Sequence, residues 1–367
     1  MRRNTLILLI LGFLFSLPFS SDGAGDPSRK HKAKAPKNII LMIGDGMGTA
    51  QLYTCITAKG DNCNIARFPV SGFVKTFSAD NYITDSGAGA TAYATGHKTN
   101  NGYISVSPQG EKLQTILETA EMQGFASGLI ATSAITHATP AGFVAHTSNR
   151  GNMEDIALDF LKTDIDVFIG GGYSNFANRK DSLNLIDSLR AHGYFVARDI
   201  KDIDLPTVKK LAALLSDGHM PRMAAGRGNM LPEATDMAIK MLKRNKKGFF
   251  LMVEGSQIDW GGHDNNLEYI VEEIVDFDNA VGKALEFAKK DGETLVIVTA
   301  DHETGGLGLT GGDMKTGKVE GSFITKDHTA VMVPLFAFGP GSEMFTGLMD
   351  NTDVYKKCMA LYGFKCP

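Results

Sequence analysis

The chain has 367 residues, of which 43% are hydrophobic and 21% charged, and its 41 glycines exceed the ~7% share of an average protein. This composition excludes collagen, coiled coil and disorder, and the length accommodates one large α/β domain or two of ordinary size. With 37 basic and 41 acidic side chains the formal net charge is −4. Nucleic acid as a dedicated partner is therefore excluded on electrostatic grounds, and any bound anion must be held by locally concentrated positive charge from metals, arginine or helix ends.

The first element is a leader. Arg2 and Arg3 precede an apolar run from Leu6 to Leu17, followed by small residues at Ser20, Ser21 and Ala24. That order predicts a secretory signal peptide over residues 1–24, the run being short of the ~20 residues a membrane span needs. A short uncleaved anchor is the other reading; a lipid anchor is disfavoured because no cysteine lies near the cleavage site. Residues 25–37 read as a flexible basic tether and residues 38–367 as a single domain. The protein is expected to be exported, periplasmic or secreted, with no membrane association after cleavage. Cys55 and Cys63 are eight residues apart, as are Cys358 and Cys366. Four cysteines permit three pairings, and export favours oxidation. Local pairs Cys55–Cys63 and Cys358–Cys366 are expected, with four free thiols as the alternative.

Along the rest of the chain, solid apolar runs predict strands at Asn38–Ile43, Gly72–Phe77, Gly128–Thr132, Val167–Gly170, Phe249–Val253, Leu295–Thr299 and Leu335–Phe338. Helical patterns alternate with them: residues 111–123 before Gly124, residues 232–246 opening on a proline, and residues 267–290 with Leu267, Ile270, Val271, Ile274, Val281, Ala284, Leu285 and Ala288 on one stripe. Residues 173–248 hold helices and one further strand. Strands that are solid rather than alternating, interleaved with helices, predict a large, mostly parallel central sheet with helices on both faces.

In open α/β sheets ligands sit beyond the carboxyl ends of the strands. Three of the runs are followed there by carboxylates: Asp45 in Gly44-Asp45-Gly46, Glu254 and then Asp259 and His263 after the run ending at Val253, and Asp301-His302-Glu303 after Ala300. Carboxylates crowded into a covered cleft repel one another and persist only if cations neutralise them. Asp with His suits zinc. Asp259 and His263 reach one ion if Trp260-Gly261-Gly262 turns, and His328 stands ready as a late ligand. Ser86, in Thr84-Asp85-Ser86-Gly87-Ala88-Gly89, reads either as part of a capped helix start or as a nucleophile at the positive end of that helix. A histidine base contributes roughly 3–5 kcal/mol, far less than a metal that lowers a water pKa from about 15.7 to about 7. For a slow substrate such as a phosphate monoester, a histidine base alone falls short.

Six segments in one order carry a resemblance: IGDGMG at 43–48, TDSGAGATAYATG at 84–96, ATPAGFVAHTSNR at 138–150, VEGSQIDWGGH at 253–263, TADHETGG at 299–306, and His328. From about residue 38 to about residue 340 the chain resembles the alkaline phosphatases. The resemblance implies a homodimeric enzyme that hydrolyses small phosphate monoesters through a phosphoserine, with two Zn2+ and one Mg2+ per subunit. Ser86 resembles the serine that is phosphorylated. Asp259, His263 and His328 resemble the ligands of a first zinc, and Asp45, Asp301 and His302 those of a second. Asp45, Thr139 and Glu254 resemble the magnesium ligands, and Arg150 the arginine that grips phosphate as a fork.

Two positions depart from the enteric bacterial pattern: His137 replaces an aspartate near magnesium, and Trp260 a lysine near phosphate. Together they resemble another bacterial subgroup, and they imply heavier reliance on Arg150 and a third metal position open to zinc. Trp260 also reads as a packing residue. His97, His146, His192 and His219 read as structural or surface residues. The short stretch from Gly306 to His328 implies that the inserted subdomain of vertebrate members is absent or rudimentary.

Overall fold

The protein is described from a computed structural model, which covers residues 35–365. The expected leader, most of the tether and Cys366 lie outside those residues. Among the described residues no helix is long and apolar enough to cross a membrane.

Fourteen strands are present among them: β1 (Asn38–Gly44), β2 (Val70–Lys75), β3 (Ala126–Ala134), β4 (Val167–Gly171), β5 (Tyr194–Ala197), β6 (Lys210–Leu214), β7 (Phe249–Gly255), β8 (Thr294–Thr299), β9 (Glu303–Thr304), β10 (Gly308–Asp313), β11 (Lys318–Ser322), β12 (His328–Thr329), β13 (Val333–Phe338) and β14 (Gly347–Asp350). Ten form one sheet in the order β14-β2-β13-β8-β1-β7-β3-β4-β6-β5. Every pairing is parallel except those of β13, which runs against both β8 and β2. The sheet is thus mostly parallel, as its solid apolar strands require. All residues of β1, β7 and β8 are buried, because helices cover the centre of the sheet on both sides.

Local chemistry sets the element boundaries. The long helix Leu267–Asp291 starts where the Asn266 side chain accepts from Tyr269 N–H and stops at left-handed Gly292. The helix expected from residue 111 begins only at Ile116, at a capping box between Thr115 and Glu118. Residues before it fold back instead, with Leu113 N–H donating to Ser105 O. The helix expected over 232–246 spans Met230–Leu242. Strand β2 lies two residues earlier than its apolar run, because its register is set by β13, where Val74 faces Val333. Residues 308–322 form an antiparallel hairpin, the whole of the structure between Gly306 and the strand of His328 apart from its flanking turns. Cys55 and Cys63, expected to form a disulfide, are buried thiols here, their sulfurs 3.8 Å apart in a thiol hydrogen bond. Cys358 is also a buried thiol.

One loop matters for the site. After β6, residues 215–220 cross over the ends of β4 and β3, pinned by Gly172 N–H donating to Gly218 O and Tyr173 N–H to Ser216 O. Gln257 Nε2 donates to Met220 O at 2.8 Å from the other side. Gly171 permits this crossing, since a Cβ there would stand 2.2 Å from Gly218 O. Gly171→Ala is therefore expected to lower the urea midpoint, by the equivalent of ~1–3 kcal/mol, with an unchanged m-value.

Candidate active site

Three strands adjacent in space, β8, β1 and β7, end at one edge of the sheet and deliver the acidic groups. Asp45 follows β1 directly and its N–H donates to Gly255 O on β7. Glu254 is the penultimate residue of β7 and pairs in register with Ile43. Asp301 and His302 follow β8 after one alanine. Asp259 and His263 lie on a short helix, Gln257–His263, rather than on an irregular turn. Their spacing of one helical turn puts both on one face, with His263 Nε2 3.3 Å from Asp259 Oδ2. His328 arrives through a two-residue ladder in which β12 pairs with β9, His328 facing Thr304. Glu303 holds that ladder: it accepts from the Thr329 hydroxyl, from Leu307 N–H at 3.1 Å and from Gln51 Nε2 at 2.7 Å.

The side chains converge in two overlapping groups. Asp45, Asp301 and His302 bring ligand atoms within 4.8 Å of one another, and so do Asp259, His302 and His328. His263 Nε2 stands 3.1 Å from His328 Nε2, closing the second group. His302 is shared: its ring stacks on His328 with centroids 3.5 Å apart, while its Nε2 lies 3.4 Å from Asp45 Oδ1 and 3.3 Å from Asp301 Oδ2. Each imidazole has its Nδ1 committed to an oxygen: His263 to Lys326 O at 2.5 Å, His328 to Thr84 O at 2.9 Å, and His302 to the Thr304 hydroxyl at 3.2 Å. In a neutral ring these bonds place the proton on Nδ1 and leave Nε2, which faces the carboxylates, free to hold a metal, whereas without a metal His263 also carries a proton on Nε2 and donates it to Asp259.

The electrostatics carry the same message. Asp45, Glu254, Asp301 and His302 are fully buried. Burial, then the charges of Asp301, Asp259 and Glu254, hold the Asp45 carboxyl well above its usual range. Burial followed by Asp259 and Glu254 pushes Asp301 to about 8, and burial pushes Glu254 to about 7. Asp259 is the exception: burial raises it, but the hydrogen bond from His263 and three nearby imidazoles hold it below the ordinary range. His263 rises to about 9, chiefly through that bond. Both Asp45 oxygens, Asp301 Oδ2 and the Thr139 hydroxyl are buried without a hydrogen-bond partner. A buried carboxylate oxygen left bare costs ~1–3 kcal/mol or more unless a cation meets it. Zinc fits the mixed Asp/His donor sets, and magnesium fits the all-oxygen set of Asp45, Thr139 and Glu254.

Ser86 opens the helix Ser86–Thr95, capped by Asp85, whose side chain accepts from Ala88 N–H. Its Oγ lies 3.3 Å from His302 Nε2. The approach depends on Gly89, where a Cβ would stand 3.0 Å from Asp301 Cβ. Arg150 Nη1 donates to Asp85 Oδ2 at 2.7 Å, and its Nη2 lies 3.5 Å from His137 Nε2. Asp85 thus caps the helix and aims Arg150, a second role no local pattern announces. His137 and half-buried Trp260 stand edge to face, with centroids 6.3 Å apart. Burial, then Arg150 and His219, lowers His137 to about 3. His219, read from sequence as structural or surface, packs against both rings, at 5.4 Å from His137 and 4.8 Å from Trp260. Its sequence neighbourhood on the loop after β6 contains no signal for this. His97, His146 and His192 are held by local partners: Thr95 O, Ser105 O with Glu118, and Ser188 O.

Buried acids and imidazoles at the carboxyl edge of a mostly parallel sheet, with a serine beside them, suit a metal-dependent enzyme. The alkaline phosphatase family profile matches residues 36–321. Alkaline phosphatase 4 of Bacillus subtilis is 37% identical over 89% of this chain and 89% of its own. The Escherichia coli alkaline phosphatase is 33% identical over 90% of this chain and 87% of its own. Among solved structures, the alkaline phosphatase of the Antarctic bacterium TAB5 superposes with a TM-score of 0.86 at 42% identity, covering 91% of this chain and 100% of that one. A variant of that Antarctic enzyme holds magnesium. The chain belongs to the alkaline phosphatase family, and its activity is the metal-dependent hydrolysis of phosphate monoesters.

Two outcomes follow from this geometry. Asp85→Ala removes both a helix cap and the Arg150 tether, so stability falls by ~1 kcal/mol and KM for an aryl phosphate rises roughly fivefold. Asp85→Asn keeps an acceptor for Ala88 N–H and is expected to recover the stability but not the KM, as urea titration and steady-state kinetics would show. The metal-free protein also has a signed pH dependence. Asp301 at about 8, Glu254 at about 7 and His263 at about 9 hold protons in the folded chain that the unfolded chain has released. Above pH ~7.5 the depressed histidines His137, His219 and His302 are neutral in both states and drop out. Stability of the chelator-treated protein is therefore expected to fall from pH ~7.5 to ~9, and saturation with zinc to abolish that fall in a thermal-melt series.

Proposed function

We propose that this phosphatase works through Ser86 at a centre holding two Zn2+ and one Mg2+, with Asp259, His263 and His328 as ligands of one zinc, Asp45, Asp301 and His302 of the other, and Asp45, Thr139 and Glu254 of the magnesium. The observation that carries the proposal is the set of buried, unpartnered carboxylate oxygens of Asp45 and Asp301 beside the Ser86 hydroxyl. Bound there, the metals supply Lewis-acid stabilisation of charge on phosphoryl, attacking and leaving oxygens.

The protein's own groups do the rest. Ser86 Oγ attacks phosphorus, the ester P–O bond breaks, and the alcohol leaves; water then cleaves the phosphoserine and restores the hydroxyl. The N-terminus of the Ser86–Thr95 helix favours negative charge at Ser86. Arg150, held on one side by Asp85, presents its remaining donors to two of the three free oxygens of a monoester; a diester has only two, which leaves none over for the metals. Trp260 contributes no charge, so recognition of the anion concentrates in Arg150 and the metals. His137 borders that position and lines the magnesium set.

The same reading extends to the whole chain: a leader over residues 1–24, a tether over 25–37, one catalytic domain, and an exported homodimer acting in the periplasm or outside the cell. The homodimer is what the family resemblance implies for this chain. Support for a Cys55–Cys63 disulfide comes from the 3.8 Å approach of the two sulfurs, which exchange with an oxidising disulfide of the export compartment closes.

Ser86→Ala is expected to abolish turnover of a chromogenic phosphate monoester while metal content, read by elemental analysis, stays at the wild-type level. Exhaustive chelation is expected to abolish turnover reversibly. Full activity of the Ser86→Ala enzyme would remove the nucleophile from this scheme, and monoester and diester rates of similar size would remove the role given to Arg150.

A further inference from the structure

His219 sits on a loop that the fold takes trouble to hold still. The backbone around it is tied to β4 through Gly218 O and to the Gln257–His263 helix through Met220 O. The ring itself is tied as well: its Nδ1 accepts from Ala134 N–H, at the end of β3, at 3.0 Å. Nδ1 as acceptor means that the ring is neutral with its proton on Nε2. A surface histidine without a task needs none of these restraints, yet this exposed ring lies edge-on to Trp260 at 76° and to His137 at 85°. His137 and Trp260 are themselves at 88°, so three rings brace one another mutually. His137 Nε2 is 3.5 Å from Arg150 Nη2, which connects the trio to the guanidinium.

We infer that His219 is a positioning residue for phosphate: from the loop after β6 it fixes the planes of Trp260 and His137, and through them the rim of the cleft beside Arg150. The inference rests on the reading of that cleft as the phosphate site. Removing the ring leaves Trp260 and His137 free to rotate, and the anion then meets a rim that must be ordered on binding.

Trp260 is the only tryptophan in the chain, so its emission reports this contact directly. The test uses the metal-loaded enzyme and its His219→Ala and His219→Phe variants, matched in far-UV circular dichroism and metal content. His219→Ala is expected to shift Trp260 emission, to raise the Kd for inorganic phosphate roughly three- to tenfold, and to raise KM for p-nitrophenyl phosphate in proportion, with a smaller change in kcat. His219→Phe keeps an edge-on ring on a loop still held by its carbonyls, and is expected to return most of the affinity. Unchanged Kd and KM in His219→Ala would overturn the inference whether or not the emission moves, as would a phenylalanine variant no better than alanine. A wild-type enzyme that hydrolyses the ester yet gives no fluorescence or competition response to phosphate would overturn the reading of the cleft, and this inference with it.

Discussion

Like charges buried together are the constraint on which this structure turns. Asp45, Glu254 and Asp301 have no exposure to solvent, and each is pushed toward its protonated form by burial and, for the two aspartates, by neighbouring carboxylates. Hydrophobic residues of similar size would pack there at less cost. The fold keeps the acids because β8, β1 and β7 are its central, fully buried strands, and the chain leaving them has only one edge to leave by. The histidines complete the arrangement: their Nδ1 atoms are tied outward to oxygens, so their Nε2 atoms all face the acids. The metal dependence of the family is what such a cavity leads one to expect, since divalent ions balance the charge that burial and crowding oppose.

This logic explains why so much was legible in the amino-acid order alone. A parallel strand buried on both faces is a solid apolar run, and its carboxyl end is where the run stops. Asp45, Glu254 and Asp301 could be assigned to one edge from that rule alone. Signals failed where tertiary pairing outweighed local pattern. Lys210–Leu214 is rich in alanine and leucine, which favour helix, yet it forms β6 because β4 and β5 flank it. The reversal of β13 against its neighbours has no local signature. Residues 111–115 have helical periodicity, but the capping box at Thr115 offers a better start.

The site shows the same division. Groups on or just after central strands were readable, whereas groups acting at the rim were not. His219 reaches the cleft from the far half of the sheet, after the short strand β6, and nothing in its own sequence context separates it from His192 or His97. Asp85 announces itself only as a cap. Glu303 follows Asp301 and His302 directly, but its oxygens are taken by Gln51, Thr329 and backbone N–H groups, and its work is to hold the ladder that presents His328. In each case the role depends on a partner more than 25 residues away, as Thr329 is from Glu303.

A remaining difficulty is how a chain with net charge −4 recognises a phosphate dianion beside a carboxylate as close as Asp85. The hydrogen bonds resolve it. Asp85 Oδ1 accepts Ala88 N–H, while Oδ2 accepts Gly102 N–H and the Arg150 guanidinium, so both oxygens face donors rather than the cleft. Its charge is balanced by the helix start on one side and by arginine on the other. Ser86, the next residue, shares the positive end of the same helix. The opposite rim is built from neutral rings, with His137 held far below physiological pH by burial, so it neither attracts nor repels the anion. The chain thus places a guanidinium, a helix start and neutral rings around the cleft, so that local charge rather than the overall charge of the chain faces an anion there.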